Sequence, residues 1–376
     1  MILKLEPQTL ANEFSQLGIH PASEAIFLHK SEIVPLKILD IRTPAANIIK
    51  QEMLACGGDC AIPAGCVVCA EERVDVILLG TYKHYTRLLE KLTQMPYFGM
   101  AGIKSELMAI LDAPIPQTIL SDGRTLNYDK MLVMGILNIT PDSFYAGSRV
   151  PQLEQVVEKA GEMLRQGAAV LDIGGESTRP GSDAVTADEE QKRIVPVIKA
   201  LKERYPACVI SIDTYRASTA EAALAAGADI INDVTAMEGD AAMSDLVVGS
   251  KVPIILMHMR GTPKNMQQNC EYKNVVTEVA AYLLQRAKIL ENRGVAKEKI
   301  IFDPGIGFAK NIEQNLQLMQ GLKSLTGFRL SCIACCFTQK YYWKCTRRNS
   351  SRRTPGRYDC CQLSGCVCRS SNGTSA

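Results

Sequence analysis

Polar residues recur at one kind of place in this chain, the end of a short apolar run. LVMGILN ends in Asn138 and leads into Thr140-Pro141-Asp142-Ser143-Phe144. AVLDIGG carries Asp172 and runs into Glu176-Ser177-Thr178-Arg179-Pro180-Gly181. CVISID ends in Asp213, DIINDV holds Asn232-Asp233, VPIILMHM holds Met257-His258, and KIIFDPG holds Asp303, followed by Gly307-Phe308 and Lys310. A single carboxylate so placed is often no more than the N-cap of the next helix. Several converging on one mouth need partners, because buried carboxylates and amides must be hydrogen-bonded. Asp213, Asn232 and Asp303 together offer acceptors and a donor suited to the guanidine-like edge of a planar ring. Ser177-Thr178-Arg179, beside glycines at a helix start, offers an anion backbone N–H groups, a hydroxyl and a guanidinium. The chemistry expected is that of a flat, hydrogen-bonding substrate carrying phosphate. His258 is expected to position that ring or to pack, rather than to act as a general base.

Such residues need a scaffold that brings strand ends together. From residue 130 onward the apolar runs alternate with helical segments. The first of these, 152–166, places Val156, Val157, Ala160, Met163 and Leu164 on one stripe. Continuous apolar strands between amphipathic helices predict a parallel sheet covered on both faces. Six such units exceed one mononucleotide-binding half, and no GxGxxG follows the first strand. Residues 130–376 number 247, about the length of a (β/α)₈ TIM barrel, in which the chemistry sits at the C-terminal strand ends.

Residues 1–112 read as a small α/β domain. VDVILLG (74–80) is a buried-strand candidate, His84–Leu92 is helical, and 44–54 places Ala45, Ile48, Ile49 and Met53 on one helical face. Residues 113–129, with two prolines and an Asp-Gly turn, form a linker or a short hairpin. Cys56-x3-Cys60 and Cys66-x2-Cys69 could be read as zinc ligands. The expectation here is instead buried thiols acting as small hydrophobes, with Cys66 and Cys69 in a strand-like run. The net charge of +2 argues against a nucleic-acid or membrane-surface binder. With no bilayer-length apolar run and no basic-then-apolar leader, a cytoplasmic protein is expected.

The motifs resemble those of dihydropteroate synthases. Met134-Gly135-Ile136-Leu137-Asn138-Ile139-Thr140-Pro141-Asp142-Ser143-Phe144 is similar to the first signature of that family, and Leu171–Gly181 to the second. Ser211–Thr214, Ile231–Asp233, Met257–Pro263 and Asp303–Phe308 follow in family order. The resemblance implies a barrel that condenses 6-hydroxymethyl-7,8-dihydropterin diphosphate with p-aminobenzoate, with possible homodimerisation. It implies that Asp213, Asn232, Met257, Asp303 and Phe308 hold the pterin, with Asp213 and Asp303 catalytic. Asn138, Thr178 and Arg179 would meet the diphosphate, and Asn138 would contact Mg²⁺. The loops with Asp142, Ser143 and Phe144 and with Pro180 and Gly181 would close over the reaction. Residues 1–112 resemble an extension found in some bacterial members.

The end of the chain departs from this pattern. The family continues with a seventh strand ending in Ser-Arg-Lys and an eighth ending in Arg-Val-His, and neither motif is present. Residues 328–376 hold nine Lys or Arg, one acid, eight of the 14 Cys and the single Trp343. Reverse translation of Arg329–Cys345, read one nucleotide later, allows Gly-Tyr-Pro-Val-Leu-Leu-Ala-Ala-Ser-Arg-Lys-Ser-Ile-Ile-Gly-Asn-Val. Arg353–Cys361 in that same frame allows Glu-Arg-Leu-Glu-Gly-Thr-Ile-Ala-Ala. The expectation is therefore a barrel of strands one to six over 130–327, with strands seven and eight lost in a frameshifted, largely disordered tail. The tail's other reading is a Cys-rich basic module, with Cys332, Cys335, Cys366 and Cys368 on zinc. Two functional alternatives stand beside the synthase. One is a non-catalytic pterin binder, the other a methyltetrahydrofolate-type methyltransferase domain on the same barrel.

Overall fold

Residues 73–80 alternate strictly between buried and exposed, the period of a strand with one face on a core. The computed structural model describes residues 10–111, 116–128, 131–139, 149–176, 185–261, 270–322, 331–336 and 366–370. It divides the chain into two units, Met1–Asp112 and Ala113–Ala376.

In the first unit, β1 (Val34–Arg42), β2 (Asp59–Ala61) and β3 (Arg73–Gly80) form an antiparallel sheet in the order β1-β3-β2. Helices α1 (Leu10–Gln16), α2 (Pro21–Ser31), α3 (Thr43–Ala55), α4 (Tyr82–Leu92) and α5 (Met100–Leu111) complete it. Ala45, Ile49 and Met53 of α3 pack on Val74, Val76 and Leu78 of β3 and on Tyr85, Leu88 and Leu92 of α4. Cys56, Cys60 and Cys66 are buried in this core, and burial pushes the Cys60 thiol up to about 11. Cys66 ends a 3-10 turn at Ala64–Cys66, so the run around it is a turn, not the expected strand. The strand 74–80, expected to be buried, has only one face covered, with Ile77 and Leu79 on the exposed side.

The second unit is a closed parallel barrel. Its strands are β6 (Leu132–Asn138), β7 (Ala168–Gly174), β8 (Val209–Asp213), β9 (Ile230–Asp233), β10 (Ile254–Met257), β11 (Ile300–Asp303), β12 (Ser331–Cys336) and β13 (Cys366–Ser370). They follow one another in chain order around the ring, and β13 pairs back onto β6. Helices α6 (Arg149–Arg165), α7 (Ala187–Arg204), α8 (Ala217–Ala226), α9 (Met243–Ser250), α10 (Val275–Glu291) and α11 (Ile312–Gln320) alternate with the strands from β6 to β12. Three helix starts are sealed by side-chain caps. Thr186 accepts from the Glu189 N–H, Asn274 from Thr277 and Asn311 from Gln314.

The apolar runs look uniform in sequence because both faces of each strand are buried, yet they serve two cores. Leu171, Ile173, Ile212, Ile231, Leu256 and Phe302 face the helices. Met134, Val170, Val209, Ile230, Ile255 and Ile301 face inward and form the barrel floor. A hairpin of β4 (Gln117–Ile119) and β5 (Thr125–Asn127) adds Leu120 and Tyr128 to that floor. Arg124 of the hairpin anchors it by donating to Asp229 (2.8 Å) and to the Ala207 carbonyl (2.7 Å).

The expected loss of strands seven and eight is corrected by this topology. β12 lies on β11 through Ile301↔Ser331 and Phe302↔Cys332, and β13 lies between β12 and β6. A parallel ladder is built from main-chain N–H and C=O groups, so it tolerates a change of side chains. SCIACC and CVCRS are runs of small, largely apolar residues without proline, compatible with a central strand. The open barrel with bare strand edges is therefore not what forms. The backbone closes, but the Ser-Arg-Lys and Arg-Val-His side chains remain absent from the sequence.

Candidate functional site

On four of the strands the floor gives way to a polar group within two residues, and on β10 to Met257. One inward step above Val170 stands Asp172, above Val209 Ser211, above Ile230 Asn232, above Ile255 Met257 and above Ile301 Asp303. Register then sets the neighbours. Asn138, Gly174, Asp213 and Asn232 lie side by side across β6, β7, β8 and β9. Met257 lies beside Asp303 across β10 and β11. The structure thus brings Asn138, Asp213, Asn232, Met257 and Asp303 to one rim. A Cβ at Gly174 would stand in ordinary contact with Asn138 Oδ1 (3.4 Å) and Asp213 Oδ2 (3.6 Å), which shows how closely these three residues approach.

Asn232 is fully buried and oriented. Its Nδ2 donates to both oxygens of Asp172, at 3.2 Å each. That leaves its Oδ1 a buried acceptor without a hydrogen-bond partner. Buried acceptors of this kind are rare and are usually met by water or ligand. Asp303 accepts the Gly305 N–H on Oδ1 at 2.7 Å. Met257 and Phe308 pack together with Val234 and Ala309, giving the mouth an apolar wall beside its acceptors.

Asp233 departs from the others. It points the opposite way from Asn232, as strand alternation requires, and builds its own loop. Its carboxylate accepts from Thr235 N (2.8 Å), Thr235 Oγ1 (2.7 Å) and Met237 N (2.7 Å), while burial pushes its pKa up. His258 is buried edge-on to Tyr282 (5.0 Å between centroids) and near Tyr272. Burial, and then the charges of Lys310 and Arg260, press its pKa down to about 3. It is a packed, neutral imidazole, a poor base.

Two cations stand around the rim: Arg216, which the sequence reading passed over, and Lys310, which it placed after the sixth strand without a role. Arg216 donates to Glu176 (2.5 Å), Glu190 (2.8 Å), the Val185 carbonyl (2.7 Å) and Tyr215 Oη (2.6 Å). It thereby ties both ends of the β7–α7 connection. Lys310 is buried, and burial pushes its amine down to about 7 against the pull of the Asp303 carboxylate. Thr178, Arg179, Pro180, Gly181, Asp142, Ser143 and Phe144 lie outside the described residues. Among the described residues no cluster of three or more His, Cys, Asp or Glu is placed to hold a metal, and no helix is long and apolar enough to cross a membrane.

A closed parallel barrel with an apolar floor and acceptors crowded at its C-terminal rim is the architecture of a barrel enzyme that takes a polar, planar ligand. Comparison with known proteins makes the class specific. Residues 134–336 match the model of pterin binding enzymes. Dihydropteroate synthase of Synechocystis is 41% identical over 212 residues, 56% of this chain and 71% of that protein. The probable bifunctional folylpolyglutamate synthase/dihydropteroate synthase of Haloferax volcanii is 36% identical over 286 residues, 73% of this chain. This chain spans only 33% of that protein's length. The Xanthomonas albilineans dihydropteroate synthase structure with 4-aminobenzoic acid superposes with a TM-score of 0.58 at 33% identity, over 68% of this chain and 93% of that one. The chain belongs to the pterin-binding enzyme family, in its dihydropteroate synthase branch.

Proposed function

We propose that the chain is a dihydropteroate synthase, a transferase joining 6-hydroxymethyl-7,8-dihydropterin diphosphate to p-aminobenzoate, with an intact pterin half and a weakened anion half. The observation that carries the reading is the buried, unbonded Oδ1 of Asn232 beside Asp213 and near Asp303 on one rim. A pterin edge presents a row of N–H donors, which such acceptors would satisfy. Met257 and Phe308 would cover the ring. As the C–O bond to diphosphate breaks, positive character grows on the pterin methylene, and the carboxylates of Asp213 and Asp303 stabilise it in a water-poor site. The amine of p-aminobenzoate then forms the C–N bond and releases its proton, with diphosphate as the leaving group.

Asn138 is a single neutral oxygen donor, which fits Mg²⁺ in the way that ion binds beside phosphates, with few protein ligands and the remainder from substrate and water. Bound there, Mg²⁺ would neutralise charge on the leaving diphosphate. Thr178 and Arg179 are the proposed protein contacts to the same group. The cations that Ser-Arg-Lys and Arg-Val-His would add are lacking, so turnover rather than pterin binding is where this chain should be deficient.

The test measures dihydropteroate formation and pterin affinity for this chain and for a version whose residues from 329 onward are restored to the alternative frame. Equal pterin affinity with much faster turnover in the restored chain is expected. Failure of both chains to bind the pterin refutes the reading. Corrinoid-dependent methyl transfer by the restored chain would favour the methyltransferase alternative.

A further inference from the structure

Lys310 is among the most deeply buried side chains of the barrel, with 1% of its surface exposed. A cation is expensive in such a place unless its donors are met. An apolar side chain would fill the volume without that expense. Its Nζ donates to the carbonyls of Phe308 (2.8 Å), Gly305 (3.0 Å) and His258 (3.2 Å) and lies 3.1 Å from His258 Nδ1. Three carbonyls match the three protons of an ammonium. All of these partners sit immediately behind the rim, on the loops after β10 and β11.

The bonds continue outward to groups proposed to hold the pterin. The Gly305 residue that accepts from Lys310 donates its own N–H to Asp303 Oδ1 at 2.7 Å. Its carbonyl also receives the Phe308 N–H at 3.0 Å. Phe308 is thus held at its N–H through Gly305 and at its carbonyl by Lys310. The loop has little slack elsewhere. Gly307 N–H donates to Asn315 Oδ1 (2.8 Å), and Tyr272 Oη donates to the Ala309 carbonyl (3.1 Å). Gly305 has a φ of +66° and is pressed so closely on the His258 carbonyl that no side chain fits.

We propose that Lys310 is a positioning residue for pterin recognition, an internal clamp whose ammonium fixes the Gly305–Phe308 turn and so aims Asp303 and Phe308 at the ring. With 1% of its surface exposed and its donors spent on three carbonyls, it acts through the turn it holds and not on the substrate directly. The inference rests on the pterin reading of the rim.

The experiment compares the wild-type chain with Lys310→Met and with Leu290→Ala, a core truncation in α10 on the helix side of the barrel. The probe is 6-hydroxymethyl-7,8-dihydropterin, titrated by calorimetry, with hydrogen exchange followed over residues 303–310 and 209–213. Lys310→Met is expected to weaken the pterin at least tenfold and to speed exchange at 303–310 while leaving 209–213 protected. Leu290→Ala should lower the melting temperature without that local pattern and without loss of affinity. Wild-type affinity with unchanged exchange at 303–310 in Lys310→Met overturns the clamp. If that variant loses protection everywhere, as Leu290→Ala would, its role is general packing and the proposal also fails. Absence of pterin binding by the wild-type chain instead overturns the reading of the rim on which the proposal stands.

Discussion

Replacing Asp303 by Asn separates recognition from scaffolding at the rim. The Asn side chain keeps an oxygen for the Gly305 N–H, now bonded at 2.7 Å, so the turn should survive. What changes is the other half of the group. An acceptor bearing charge becomes an N–H₂ donor, facing what the pterin reading makes a ring donor. A hydrogen bond to a charged group contributes roughly 1.5–3 kcal/mol, and a buried donor left without an acceptor costs about 1–3 kcal/mol. Taking about 3 kcal/mol for the two together gives about a 100-fold weaker pterin dissociation constant. Stability should change by about 1 kcal/mol or less, since one charge-assisted bond is exchanged for a neutral one. Calorimetric titration with 6-hydroxymethyl-7,8-dihydropterin gives the first quantity and urea denaturation the second. An affinity within threefold of wild type, in a folded protein, would mean that Asp303 does not read the ring. A fall in affinity matched by a fall of several kcal/mol in stability would mean that the carboxylate acts by building the turn.

Two further outcomes follow from the same region. Gly305→Ala must adopt a positive φ, costing about 1–2 kcal/mol, and must place Cβ 2.1 Å from the His258 carbonyl, adding about 1–3 kcal/mol of overpacking. Gly294→Ala has a comparable φ of +87° with nothing within 4 Å, so it should show the first cost alone; equal losses in urea denaturation would refute the close packing. His258 titrates at about 3 when folded against an ordinary 6.5, so the unfolded chain takes up its proton first. Its contribution is complete above about pH 6.5 and fades as pH falls toward 3, and His258→Gln should flatten the stability profile in that window. Profiles of equal slope for the two proteins would show that His258 is not a buried neutral ring.

Much of the barrel was legible because its cause is local. Six apolar runs separated by amphipathic stripes can bury both faces only in a covered parallel sheet. The rim was partly legible for the same reason, since Asn138, Asp213, Asn232 and Asp303 end their runs. The tail was misread in one respect. Its residue types and missing motifs led to an expectation of lost strands, but strand pairing depends on backbone groups that any such run of residues carries, and β12 and β13 close the ring. Composition could not reveal that.

Other features belonged to the tertiary structure alone. Asn232 and Asp233 are adjacent and chemically similar, yet one faces the barrel interior and the other its own loop, a division set by the pleat and by which face of β9 meets the floor. Nothing in the chain marks how deeply Lys310 is buried or that Arg216 is tied between two carboxylates. The burial of Lys310 and the part-burial of Arg216 come from the convergence of carbonyls and carboxylates dozens of residues apart, as with Lys310 on His258 and Arg216 on Glu176 and Glu190. The sequence by itself determined the first six barrel strands, where their polar ends fall and which family they resemble. Only the folded barrel decided which of those ends share a rim and that Lys310 lies buried behind it, because register and burial are properties of the closed sheet and not of any one segment.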